Sequence, residues 1–367
     1  MKTIVLNILS VSNIYSGAGT YSLNVLNFLP ECEDLRFIIF SDKTFYNNAL
    51  TRINCKKKNY IWKTFDFGSK FKRIFFEQFK LPRILDNIKP DIVHSFSNIL
   101  PVNYKGGQFL TLHDVMFKLF FSRYSISKQI YYNYYVSKSV KIADKIFVPT
   151  ISTMNDLKRF YGYNGVEQKI KIINYSGNSL LDKSIGDGII EKFKSKFGLT
   201  KPFVLFVGTL EPGKNIEFLY ELADKIKNDC EIVIAAGKGW KTKKQRREKI
   251  KFLNNMNEIE MSALYKCAAM LAYPVIYEGV GLPLYEAQYF GIPVICSDYP
   301  AAREIVDSKN ILPLNVDLWS KKINEILNDA SLQIKKNNTP VNNKISGWEN
   351  YCRELTNYYL NVKKFET

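Results

Sequence analysis

A chain of 367 residues is long enough for two domains, each with its own core. Its 46% hydrophobic and 24% charged content is that of a folded soluble protein and excludes a disordered one; its longest apolar runs, such as residues 203–207, fall well short of the ~18 needed to cross a bilayer. The formal net charge of +17 is unevenly shared, with 25 Lys and Arg against 12 Asp and Glu in residues 1–178, and 27 against 23 in the remainder.

Taken in chain order, the predicted elements alternate. Residues 3–9 read as a first strand rather than a signal peptide, because Asn7 interrupts the apolar run and no cleavage pattern follows. Gly17 and Gly19 then suit a tight turn ahead of an amphipathic stretch at residues 20–29. Further strands are expected at residues 36–40, 92–95, 109–112 and 145–148, with a second amphipathic stretch at 71–88. Residues 174–200 read as a linker containing Gly177, Gly186 and Gly188 and closing with a helix at 189–197. The strand pattern resumes at 203–207, 231–235, 268–273 and 293–296, and the tail at 348–365 is helical in pattern. Alternation of this kind points to parallel sheets covered on both faces. The predicted class is therefore α/β, with two doubly wound, Rossmann-like domains at residues 1–178 and 179–348 and a terminal helix at 349–367.

The most informative segment is E-G-V-G-L-P-L-Y-E-A-Q, from Glu278 to Gln288. An apolar strand ends at Pro274, so Glu278 falls in the loop beyond it, while Pro283 suits a first helical turn and puts Glu286 inside the helix. Gly279 and Gly281 between them let backbone amides come close to a ligand. Amides at a helix N-terminus suit a phosphate, and carboxylates accept hydrogen bonds from hydroxyls, so a nucleotide sugar fits both halves of the segment.

The two glutamates stand eight positions apart, and this spacing resembles the E-x7-E motif of the retaining glycosyltransferases with the GT-B fold, the family 4 or glycosyl transferases group 1 enzymes. Residues 208–215 (G-T-L-E-P-G-K-N) and 291–298 (G-I-P-V-I-C-S-D) resemble two further segments of that group. So do 237–240 (G-K-G-W), 112–114 (L-H-D), 16–21 (S-G-A-G-T-Y) and 174–177 (N-Y-S-G). The resemblance implies two domains facing across a cleft, the first on the acceptor side and the second binding the donor. It also implies Glu278 at the donor sugar, Glu286 at the ribose, Lys214 at the diphosphate and His113 beside the reacting sugar. Gly17, Gly19, Thr209, Gly279, Val280, Gly281 and Leu282 complete the implied donor site. Gly213 departs from the group, which usually has arginine there; Arg303 and Lys238 are candidate replacements. His94, which also has a family counterpart, stays open between core and site.

No Asp-x-Asp occurs, and the chain has only two histidines, so no cofactor and no metal are expected and the diphosphate must be neutralised by protein cations and dipoles. Six scattered cysteines without a C-x-x-C pair read as reduced thiols in the cytoplasm. The expected partners are a GDP- or UDP-linked sugar and a glycan or lipid-linked oligosaccharide of bacterial surface polysaccharide. The basic first half, with aromatics interleaved at residues 70–83 and 117–141, adds an anionic membrane face, whereas no motif supports nucleic acid. The competing readings are a nucleotide-sugar epimerase or a phosphorylase of the same fold, and a catalytically silent binding subunit.

Overall fold

The structure, a computed structural model, describes residues 1–121, 124–162, 165–227, 229–237, 247–329 and 347–362. Lys238 and its G-K-G-W segment beyond Gly237, and the tail beyond residue 362, lie outside the described residues. The chain divides into two compact units, Met1–Tyr175 with Ser346–Thr367, and Ser176–Ile345.

The first unit holds a seven-stranded sheet of β1 (Lys2–Ile8), β2 (Leu35–Asp42), β3 (Tyr60–Phe65), β4 (Ile92–Ser95), β5 (Gln108–Thr111), β6 (Lys145–Val148) and β7 (Ile170–Ile172). The order is β3-β2-β1-β4-β5-β6-β7, and every pairing is parallel. The second unit holds six strands, β8 (Phe203–Thr209), β9 (Glu231–Gly237), β10 (Ile250–Leu253), β11 (Met270–Tyr273), β12 (Val294–Ser297) and β13 (Ile311–Leu312). Their order is β10-β9-β8-β11-β12-β13, again all parallel. Both sheets are doubly wound, as the alternation predicts. Each reverses its strand order once, between β1 and β4 in the first unit and between β8 and β11 in the second. Loops leaving the carboxyl ends of such strand pairs splay apart and leave a crevice.

The nine inner strands were all legible as apolar runs, since a parallel strand covered on both faces is hydrophobic throughout. The sequence pattern missed β3, β7, β10 and β13, and these are the four edge strands. An edge strand is covered on fewer sides and tolerates charge, as Lys63, Lys171 and Lys251 show.

One helix start differs from expectation. The first helix is Gly17–Phe28, three residues longer at its N-terminus than the apolar pattern indicates, because Ser16 caps it and accepts a hydrogen bond from the Gly19 amide at 3.0 Å. Gly17 and Gly19 therefore sit in the first helical turn, not in a turn before it. A Cβ on Gly19 would stand 2.1 Å from the Asn13 carbonyl oxygen, so glycine lets the preceding loop lie against the helix.

The helix Trp348–Leu360 belongs to the first unit. Tyr351 meets Tyr21 at 2.6 Å between hydroxyls, and Tyr359 meets His94 Nδ1 at 2.6 Å. All six cysteines are free thiols. Among the described residues, no helix is long and apolar enough to cross a membrane.

Candidate functional site

In the second unit the candidate residues gather at the carboxyl ends of β8 and β11, the two strands that flank the reversal of strand order. From β8 the chain passes Thr209 into a single 3-10 turn, Pro212–Lys214; Asn215, with φ +54°, then redirects it into the helix Ile216–Lys225. This turn sends the Lys214 side chain inward, where it is buried and lies over the Tyr273 ring, with Nζ 5.6 Å from the centroid. Tyr273 is the last residue of β11, and Glu278 follows five positions later.

Three groups converge there. Lys214 Nζ pairs with Glu278 Oε1, the Tyr273 hydroxyl donates to Glu278 Oε2, and Lys214 Nζ stands 3.2 Å from the Tyr273 oxygen. Two backbone ties hold the loops in place: the Ile276 amide donates to the Gly213 carbonyl at 2.9 Å, and the Ser297 hydroxyl, at the end of β12, donates to the Val275 carbonyl. Burial, with the Glu278 carboxylate next in size, pushes the Tyr273 hydroxyl well above its ordinary range and keeps it a donor.

Glu286 projects from the helix Leu282–Tyr289. Gly281, at φ +88°, supplies the left-handed step into this helix, and a Cβ there would come within 2.9 Å of the Tyr299 hydroxyl, so the position requires glycine on both counts. The Glu286 carboxylate is buried, accepting the Tyr265 hydroxyl at 2.6 Å on Oε2 and the Asn178 amide at 3.1 Å on Oε1. Burial raises its pKa, the two hydrogen bonds oppose the rise, and the charge of Glu278 adds to it. Gly177 covers Glu286 closely, for its Cβ would stand 2.6 Å from Glu286 Cγ. Val280, in the loop before this helix, is buried, and Leu282, the first residue of the helix, is half-buried.

The remaining candidates belong to the first unit. His113 follows β5; its Nε2 donates to the Phe96 carbonyl at 2.8 Å and its Nδ1 therefore accepts the Tyr175 hydroxyl at 2.9 Å. Burial pushes its pKa down to about 4, so the ring is neutral and both nitrogens are occupied. That leaves it no free nitrogen for proton transfer. His94 is a core residue: fully buried, its pKa down to about 3, it joins Thr111 at 2.9 Å to Tyr359. At Gly19 the amide is occupied by Ser16, while a Cβ on Gly17 would meet nothing within 4 Å.

Sequence reasoning did not find Tyr273 and Tyr265, the hydroxyls that orient the two glutamates. A tyrosine closing an otherwise aliphatic strand was the available signal for the first; nothing in the helix Glu258–Cys267 marks the second. Arg303 is held by Asp298 through bonds of 2.7 and 2.8 Å, so it already has an anionic partner.

A pair of doubly wound units, with a cation and two oriented carboxylates at strand ends of the second, has the architecture of the GT-B class of glycosyltransferases. Residues 189–345 match the family described as "Glycosyl transferases group 1", and residues 15–174 match "Glycosyltransferase Family 4". The chain belongs to this family of glycosyltransferases. It is 28% identical over 172 residues to the O-antigen chain mannosyltransferase B of Escherichia coli, covering 43% of this chain and 45% of that one. To the O-antigen chain mannosyltransferase RfbU of Salmonella typhimurium it is 26% identical over 230 residues, 60% of each chain. The chain spans about half the length of the curated relatives it matches. By shape it resembles Anabaena HepE, solved in complex with UDP and glucose, with a TM-score of 0.73 at 12% identity over 98% of this chain and 99% of that one.

Proposed function

We propose that this protein transfers a sugar, with retention of anomeric configuration, from a nucleotide-sugar donor to a glycan or lipid-linked oligosaccharide of bacterial surface polysaccharide. The observation that carries this reading is the Lys214–Glu278–Tyr273 cluster beside the buried Glu286. Glu278 neutralises the Lys214 cation. A donor diphosphate competes for that cation and releases a Glu278 oxygen to accept a sugar hydroxyl, so binding the leaving group prepares the contact to the reacting ring. Glu286, fixed by Tyr265 and Asn178, takes the ribose hydroxyls.

The transition state gathers negative charge on the departing diphosphate. A buried lysine ammonium already positioned at a strand end stabilises that charge without a reorganisation cost. This supports metal-independent transfer, in keeping with a sequence that has no Asp-x-Asp. The relatives named as O-antigen chain mannosyltransferases favour a mannose-type donor and a glycan acceptor, while the basic, aromatic-rich first half favours a lipid-linked acceptor reached at an anionic cytoplasmic membrane face.

A panel of GDP- and UDP-sugars, screened for thermal stabilisation and then for transfer to a lipid-linked acceptor analogue, tests the proposal. One nucleotide sugar should stabilise the protein and be consumed with retention. Stabilisation without turnover would make the protein a silent binding subunit, and release of an epimerised sugar nucleotide would make it an epimerase.

A further inference from the structure

Tyr265, Tyr273 and Tyr299 are all buried close to the two glutamates, yet they are not equivalent. Tyr265 donates to Glu286 at 2.6 Å, and Tyr273 donates to Glu278. The hydroxyl of Tyr299, a residue only 2% exposed, meets no hydrogen-bond partner among the described residues. A buried hydroxyl without a partner costs free energy that a phenylalanine in the same place would not.

The place of this hydroxyl gives it a use. Tyr299 follows β12 by two residues, and β12 lies beside β11, whose last residue, Tyr273, is in register with Cys296. The backbone is anchored there, since the Ala302 amide donates to the Tyr299 carbonyl at 3.0 Å. From this anchor the ring reaches the loop that carries Glu278, and its hydroxyl stands 2.9 Å from where a Cβ on Gly281 would be. Burial, and after it the charge of the Glu278 carboxylate, pushes the Tyr299 hydroxyl well above its ordinary range, so it keeps its proton and remains a donor.

Lys214 and Tyr273 each occupy one oxygen of Glu278. A diphosphate that draws Lys214 to itself takes the counter-charge from a partly buried carboxylate, which is costly unless another donor replaces it. Each carboxylate oxygen can accept more than one hydrogen bond, so a protein hydroxyl can enter beside a sugar hydroxyl. We propose that Tyr299 is a positioning residue whose hydroxyl donates to Glu278 once the donor diphosphate has taken Lys214, and so holds the carboxylate toward the sugar. This deepens the donor-site reading given above and rests on it. Part of the affinity for the donor then comes from a bond that the ligand never touches.

The test uses the full chain with UDP and with GDP in calorimetric titrations, which do not depend on turnover. Tyr299→Phe should leave the thermal midpoint of the protein without nucleotide unchanged or higher. It should weaken the nucleotide that binds by about tenfold, the usual worth of a hydrogen bond to a charged group. Glu278→Ala removes the acceptor, and in that background Tyr299→Phe should alter affinity by less than about twofold. The proposal is overturned if Tyr299→Phe binds nucleotide like the parent. It is also overturned if the loss persists in Glu278→Ala, which would put the hydroxyl on the ligand itself, or if Tyr299→Phe without nucleotide melts lower, which would give the hydroxyl a structural partner. In each of these cases a parent that binds nucleotide leaves the donor-site reading standing. If the parent binds neither UDP nor GDP, the donor-site reading fails and the role of Tyr299 fails with it.

Discussion

Lys214 and Glu278 arrive at one point from loops sixty-four residues apart, after strands β8 and β11, and neutralise each other with Tyr273 as a shared third partner. The lysine is buried while the glutamate keeps part of its surface open. A pair so placed resists water and yet can be opened by an incoming anion.

Lys214→Ala should lower kcat/KM by the equivalent of about 2–4 kcal/mol, the usual loss for an electrostatic donor aimed at a leaving group. Glu278→Gln keeps the shape and one hydrogen bond to Tyr273 but removes the charge, and should reduce kcat more than donor affinity. Steady-state kinetics with single-turnover controls separate the two effects. Normal turnover in Lys214→Ala would move the diphosphate elsewhere.

Glu286→Gln should weaken donor binding by about tenfold, near 1.4 kcal/mol, with little change in the rate from saturated enzyme. Gly177→Ala should do the same from the other side. Its Cβ would stand 2.6 Å from Glu286 Cγ, which displaces the carboxylate and costs about 1–3 kcal/mol of stability. Calorimetric titration of the donor and the thermal midpoint read both; unaltered affinity in the two variants would detach Glu286 from the donor.

Turnover should persist in excess EDTA at the rate seen with magnesium present. Loss of activity on chelation, restored by magnesium or manganese, would mean that the diphosphate needs a metal in addition to Lys214.

Acid should destabilise the first unit through its histidines. Burial holds His94 at about 3 and His113 at about 4, below the ordinary 6.5, so the unfolded chain takes up protons before the folded one. Their contribution is complete above 6.5 and is lost as the pH falls through the interval toward 4. Glu77 and Glu286, raised by burial, act in the opposite sense above 4.5. Urea midpoints between pH 7.5 and 5 should therefore fall with a slope that His94→Gln makes shallower, although that variant is less stable at neutral pH. An unchanged slope would show that His94 does not carry the effect.

Much of this was legible because the chemistry is local. A strand ending at a proline and a helix with Pro283 in its first turn place Glu278 and Glu286 without any long-range information. The parts that were not legible depend on contacts distant in sequence. Tyr265 reaches Glu286 across twenty-one positions, and Gly19 is needed because Asn13 folds back upon it. Nor does the sequence reveal that Phe96 and Tyr175 occupy the two nitrogens of His113. The edge strands escaped for a different reason: charge interrupts β3, β7 and β10 where solvent can reach, and β13, two residues long, is too short to show a pattern.

The return of helix Trp348–Leu360 to the first unit sets an order of assembly during synthesis. The segment that builds the second unit leaves the ribosome whole, whereas the first must wait with Tyr21 and His94 lacking Tyr351 and Tyr359. Until that helix emerges, Tyr21 and His94 share Thr111 as a hydrogen-bond partner and each lacks its second. The first unit therefore becomes native only after the whole of the second has been made.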